Sequence, residues 1–180
     1  KFKKRKKLKH KFFKGDKYAL MTFHPSIKSI ENISKLMSMS IKILLNLKYK
    51  ILITYPNQDP GYIRILNIIK KYKKNRNILT KKNLANKYFY ALDNAEFMIG
   101  NSSSGIIEAP YFKKKVINIG LRQKGRLTDK TIINVKSVIN KFEINLLKAI
   151  KKKINKSSSN FYGSANSNEK QVNIIAKLLN

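Results

Sequence analysis

Short apolar runs alternate with longer stretches of helical periodicity along almost the whole chain, and this alternation constrains the fold more than any other feature. The runs are 17–23 (KYALMTF), 49–55 (YKILITY), 77–80 (NILT), 96–100 (EFMIG) and 115–120 (KVINIG). Turn formers such as Pro25, Pro56, Gly100 and Gly120 end them. Their apolar residues are largely consecutive, as a strand requires when both faces of its sheet are covered. Between them, Ile33, Leu36, Met37, Ile41, Leu44 and Leu45 recur at helical spacing from Ser26, a fitting N-cap, to about Leu47. Residues 60–74, 83–95 and 136–154 also read as helices, as does 168–180, and 105–112 opens another. The pattern predicts an α/β fold: a parallel sheet with helices on both faces.

A length of 180 residues fits one domain with a sizeable core, and an apolar fraction of 42% argues against disorder. There is no cysteine, hence no disulfide and no thiolate metal site. No apolar run reaches membrane-spanning length, and the basic start lacks the apolar core of a signal peptide. The chain does not begin with Met, which suggests a piece of a longer protein.

The net charge of +31 invites a nucleic-acid-binding reading. Five of the 40 basic residues are arginine (Arg5, Arg64, Arg76, Arg122, Arg126) and the other 35 lysine. Arginine is the residue that reads phosphates and base edges bidentately. Lysines spread evenly beside abundant Ile and Asn fit a coding bias acting on solvated positions better than a specific nucleic-acid surface. The lysine runs at 113–115 and 151–153 read as solvated faces. Residues 1–16 read as a basic lead-in or linker closed by a Gly-Asp turn, the Ser-rich stretch 157–159 as a loop.

Residues 98–126 (MIGNSSSGIIEAPYFKKKVINIGLRQKGR) differ from the rest. A strand leads into a Ser/Gly loop and a helix start. In open α/β sheets, ligands bind outside the carboxyl ends of the strands. Backbone N–H groups there, with the hydroxyls of Ser102, Ser103 and Ser104, suit a phosphate, and Gly105 permits close approach. Glu108, about one turn further on, suits the hydroxyls of a ribose, and Arg122 could neutralise a diphosphate. The segment reads as a nucleotide site. A serine-rich helix cap with an incidental glutamate accounts for the same residues.

The segments GNSSSGIIEAP and VINIGLRQKGR closely resemble the hydrolysing UDP-N-acetylglucosamine 2-epimerases of sialic and nonulosonic acid synthesis in bacteria. The resemblance extends to TFHP (22–25), YPNQDPG (55–61) and NFYGSANSNEKQVNIIAKLL (160–179). It implies a Rossmann-like domain, residues 17–180, forming the C-terminal half of a two-domain GT-B-type fold with the active site between the halves. It implies that His24 is catalytic and that Asn57, Ser102, Ser103, Glu108 and Arg122 hold UDP, with Asp59, Ser104, Gly105 and Arg126 as further candidates. The reaction implied is elimination of UDP followed by hydration, releasing UDP and the C2-epimeric free sugar. Neither cofactor nor metal is implied. The other implied features are a UDP-sugar substrate, an N-terminal domain outside this chain, a homo-oligomer at full length, a cytoplasmic location, and no specific nucleic-acid or membrane partner.

Outside the signature, His24 ends a strand just before Pro25, at the expected ligand edge. His10 reads as solvated, and Tyr88, Phe89 and Tyr90 as core packing. Asn57 and Asp59 bracket a turn that would itself explain them.

Overall fold

The computed structural model describes residues 12, 13, 15–26, 30–154, 162 and 167–179. Six strands form one parallel sheet: β1 (Tyr18–Thr22), β2 (Lys50–Thr54), β3 (Ile78–Lys81), β4 (Phe97–Gly100), β5 (Lys115–Ile119) and β6 (Ile132–Val135). Their spatial order is β3-β2-β1-β4-β5-β6, and every adjacent pair is parallel. The helices are α1 (Ile30–Asn46), α2 (Tyr62–Tyr72), α3 (Tyr88–Asn94), α4 (Ser104–Ile107), α5 (Ile139–Lys151) and α6 (Ser167–Leu179).

The apolar runs are nearly continuous because the two faces of the sheet feed two different cores. Successive side chains in a strand point to opposite faces. Ala19, Met21, Ile51, Ile53, Phe97, Ile99, Ile117 and Ile119 join a cluster with α1, α2 and α5, through residues such as Leu36, Ile41, Ile69, Phe142 and Leu146. Tyr18, Leu20, Leu52, Met98 and Val116 face the other way, onto Leu84, Ala91, Leu92 and Ala109. All five residues of β1 are buried, as expected for a central strand covered on both sides.

Several boundaries differ from the sequence reading. β6 was not expected. It is a four-residue edge strand, half exposed and interrupted by Asn134, so the apolar pattern is weak. Its register is held partly by Asn118 Nδ2 donating to Asn134 Oδ1 at 2.8 Å. The segment 83–95 begins as a 3-10 turn, Ala85–Lys87, before α3. The helix opened at 105 is one α turn followed by a second 3-10 turn, Ala109–Phe112. Pro110 lacks an N–H to continue the α pattern, and Lys113 at φ 54 ends it. Lysines 113–115 are not simply a solvated face. Lys114 Nζ donates to Ala95 O at 3.1 Å, and Lys115 Nζ donates to Ile150 O at 2.6 Å, capping the end of α5. Burial pushes the Lys115 pKa down. The expected cap at Ser26 abuts residues 27–29, which lie outside the described residues. So do His10, most of the basic lead-in, the Ser-rich stretch 157–159 and most of the 155–166 loop.

Candidate functional site

The strand order reverses its direction of growth at β1 and β4. Chain segments leaving the carboxyl ends of two such strands diverge and open a crevice, the usual ligand position in this architecture. His24 leaves β1 here, Asn101–Ser104 leave β4, and Asn57 leaves the neighbouring β2.

Close approach of the first two segments depends on Gly100. Its φ is +137°, and a Cβ at this position would lie 1.9 Å from Thr22 O. Asn101 then locks the crevice. Its side chain, fully buried, accepts from His24 N–H at 2.7 Å and donates from Nδ2 to His24 O at 2.9 Å. Its own carbonyl accepts from Arg122 Nη1 at 3.2 Å and Gln123 Nε2 at 2.8 Å. One residue therefore fixes the backbone of His24 and draws in the loop after β5. Nothing in a single sequence marks Asn101 and Gln123 for this work. The only signal was that Asn101 stands at the strand end.

The His24 ring is held from two sides. Nδ1 lies 2.7 Å from Asn57 Oδ1, and Nε2 lies 3.4 Å from Ser102 Oγ. Asn57 Nδ2 in turn donates to the Asp59 carboxylate. Burial lowers the His24 pKa, the Arg122 charge lowers it further, and the Asn57 hydrogen bond and Asp59 oppose both. Arg122 is itself half buried, supported by Asp59 and opposed by Arg126. His24, Asn57, Asp59, Ser102 and Arg122 thus form one connected group.

The three serines have different surroundings. Ser102 Oγ accepts the Ser104 N–H at 3.3 Å. The Ser102 and Ser103 carbonyls accept from the first N–H groups of α4, while the N–H groups of Ser102 and Ser103 take no part in that ladder. Ser104 turns away from the crevice, its hydroxyl against that of Tyr88. Burial pushes the Tyr88 phenol up to about 12. Gly105 serves the fold: a Cβ there would lie 2.9 Å from Val116 Cγ1, so its bare face lets α4 settle on the sheet. Ser104 and Gly105, expected at the ligand edge, face the protein interior instead. Arg126 is exposed beyond Arg122.

Glu108 follows α4 and is half buried. Its Oε2 is buried with no hydrogen-bond partner among the described residues. A buried carboxylate oxygen is costly unless a donor reaches it, so this position favours a hydroxyl-bearing guest. Among the described residues no three His, Asp or Glu side chains converge as a metal site would need. A polar cavity lined by Asp16, Lys17, Tyr49 and Lys50 lies at the amino ends of β1 and β2, the opposite end of the sheet. Among the described residues no helix is long and apolar enough to cross a membrane.

A family model described as UDP-N-acetylglucosamine 2-epimerase matches residues 1–176. A Campylobacter jejuni protein named GDP/UDP-N,N'-diacetylbacillosamine 2-epimerase (hydrolyzing) is 41% identical over 119 residues, 64% of this chain and 31% of its own length. A Legionella pneumophila protein named UDP-N,N'-diacetylbacillosamine 2-epimerase (hydrolyzing) is 31% identical over 160 residues, 88% of this chain and 42% of its own. Among solved structures, Methanocaldococcus jannaschii UDP-GlcNAc 2-epimerase in complex with UDP-GlcNAc and UDP matches with a TM-score of 0.67 at 19% identity, over 90% of this chain and 46% of that one. The S. aureus MnaA-UDP co-structure matches at 0.68 and 17% identity, over 92% and 46%. The chain spans less than half the length of these relatives. The structural matches bear out the α/β Rossmann-like fold, of the kind found in GT-B proteins.

Proposed function

The chain belongs to the UDP-N-acetylglucosamine 2-epimerase family, and we propose that it is the nucleotide-binding half of a hydrolysing UDP-sugar 2-epimerase. The observation that carries this reading is the pairing, on one short segment after β4, of the Ser102 and Ser103 N–H groups with the unpartnered Glu108 carboxylate oxygen. The first suits phosphate oxygens and the second ribose hydroxyls. Because α4 is a single turn, its macrodipole is small. The work falls to individual N–H groups, the Ser103 hydroxyl and the Arg122 guanidinium, with Asn57 beside them.

In the proposed reaction a base removes the proton at sugar C2 while the C1–O bond to UDP breaks with its electron pair, giving a glycal. Water then adds at C1 as C2 is reprotonated from the other face. Charge collects on the departing diphosphate, so Arg122 and the fixed N–H groups would act by electrostatic preorganisation. His24, held between Ser102 and Asn57, is the proposed catalytic residue of this half. Arg126 would extend the positive edge beside Arg122. The remaining acid/base groups would come from a part of the protein outside this chain. The names of the two relatives above favour a diacetamido sugar as the first substrate to test.

Calorimetric titration with UDP and UMP tests the reading. UDP should bind, more tightly than UMP, and Glu108→Ala and Ser103→Ala should each weaken it about tenfold, as loss of a buried hydrogen bond to a charged group implies. Binding indifferent to both substitutions would overturn the assignment.

A further inference from the structure

The contacts around His24 make conflicting demands on Nδ1. Asn57 Oδ1, at 2.7 Å, can only accept and requires a hydrogen on Nδ1. The Asn57 backbone N–H, at 3.1 Å, can only donate and requires a lone pair there. A free neutral imidazole side chain prefers its hydrogen on Nε2, so the backbone contact alone would leave that default in place. The Asn57 amide cannot evade the conflict by flipping, because the flip would set Oδ1 against the Asp59 carboxylate to which Nδ2 now donates. Asp59 therefore decides which way the amide faces, and the amide decides the tautomer.

The opposite side of the ring permits this tautomer. Ser102 Oγ already accepts the Ser104 N–H, so its own hydrogen is available for Nε2 at 3.4 Å. The side chains then pair along one line: Ser104 N–H to Ser102, Ser102 O–H to Nε2, Nδ1–H to Asn57, and Asn57 to Asp59. The longer contact, from the Asn57 backbone N–H, is the one given up, and Asn57 is exposed, so water can take that donor. A hydrogen on Nε2 would break this line at Nδ1, where a lone pair would face Asn57 Oδ1 at 2.7 Å; Ser102, with a second lone pair, accommodates either tautomer at Nε2.

We propose that Asp59 is a positioning residue: by orienting the Asn57 amide, its carboxylate holds neutral His24 in the Nδ1–H form, with the Nε2 lone pair presented beside Ser102. The proposal rests on the reading of this crevice as the reaction site and adds the proton state in which His24 enters it. Neutral His24 is thereby a proton acceptor at Nε2. It gives a hydrogen bond to a phosphate oxygen there only after taking up a proton.

Long-range ¹H–¹⁵N correlation of the histidine ring on the full chain, at a pH where His24 is neutral, reads the tautomer directly. A His24→Gln spectrum separates its signals from those of His10. The expected result is predominantly Nδ1–H in wild type. Asp59→Ala should shift the tautomer ratio about tenfold toward Nε2–H, the scale of a charge-assisted hydrogen bond. The double variant Asn57→Asp with Asp59→Ala should restore Nδ1–H, since a carboxylate at position 57 accepts from Nδ1 without needing orientation. A wild-type spectrum dominated by Nε2–H overturns the proposal without recourse to any variant, as does an unchanged ratio in Asp59→Ala. These spectra are taken without nucleotide, so their failure is separate from a failure of UDP to bind.

Discussion

Replacing Asn101 with alanine removes a side chain whose two polar ends both serve the His24 backbone. The contacts to the Asn101 carbonyl from Arg122 and Gln123 involve backbone and survive the change. What is lost is the acceptor for His24 N–H and the donor for His24 O. Each stranded backbone group costs about 1–3 kcal/mol when buried. His24 is only half buried, so water can reach part of the gap and the lower half of that range applies. Two groups plus a small cavity give roughly 2–4 kcal/mol, a sizeable share of the ~5–15 kcal/mol of a typical domain. With a urea m-value of about 2 kcal/mol/M, the unfolding midpoint should fall by roughly 1–2 M, and the His24 ring resonances should move with it. Asn101→Asp should be no better, because a carboxylate cannot donate to His24 O and would be a buried charge. A midpoint shift below about 0.3 M for Asn101→Ala, less than one neutral hydrogen bond is worth, would refute the clamp.

Gly100→Ala should be more severe: a Cβ 1.9 Å from Thr22 O at a φ of +137° requires β1 and β4 to part, costing at least ~3 kcal/mol, and a thermal melt near that of wild type would contradict it. The folded-state pKa of His24 lies below its ordinary value of 6.5, so the unfolded chain binds more protons between the two values. Stability should therefore fall as the pH drops through 6.5 toward the folded pKa and level off below it. His24→Gln should flatten this part of the urea-midpoint profile, and an unaltered slope would count against the assignment. A short DNA duplex should bind through scattered lysines, fade steeply between low and near-physiological salt, and ignore Glu108→Ala. UDP binding should lose much less to salt and depend on Glu108. Tight, sequence-selective duplex binding at physiological salt, with none for UDP, would restore the nucleic-acid reading.

Most of the sheet was legible because β1, β2, β4 and β5 are buried on both faces and so carry apolar runs, broken within a strand only by the buried Asn118 of β5. β6 was not, because an edge strand carrying Asn134 and only one fully buried residue, Val135, looks like the approach to a helix. The position of the site was legible through a rule of topology: strands that end in His24 and Asn101 bring those residues to the ligand edge if they are neighbours in the sheet, as they are. The roles of individual side chains were less so. Nothing local distinguishes Ser104, which turns to Tyr88, from Ser102, which faces His24. The choice is made by helical phase within one short turn and by a tyrosine sixteen residues earlier. Gly105 looked like a place for a ligand because the sequence does not show that Val116 already lies against it. Asn101 and Gln123 act on backbone groups far away in the chain, a relation that exists only once the sheet has formed.

If the carboxyl edge between β1 and β4 holds a uridine diphosphate, as proposed, a UDP titration of the isotope-labelled chain followed by amide chemical shifts should show it. Saturable shifts are expected at His24, Asn57, Ser102–Glu108 and Arg122, with little change at Asp16, Lys17 and Lys50 at the far end of the sheet. Shifts scattered over the surface lysines without saturation, or centred on the Asp16–Lys50 end, would contradict it.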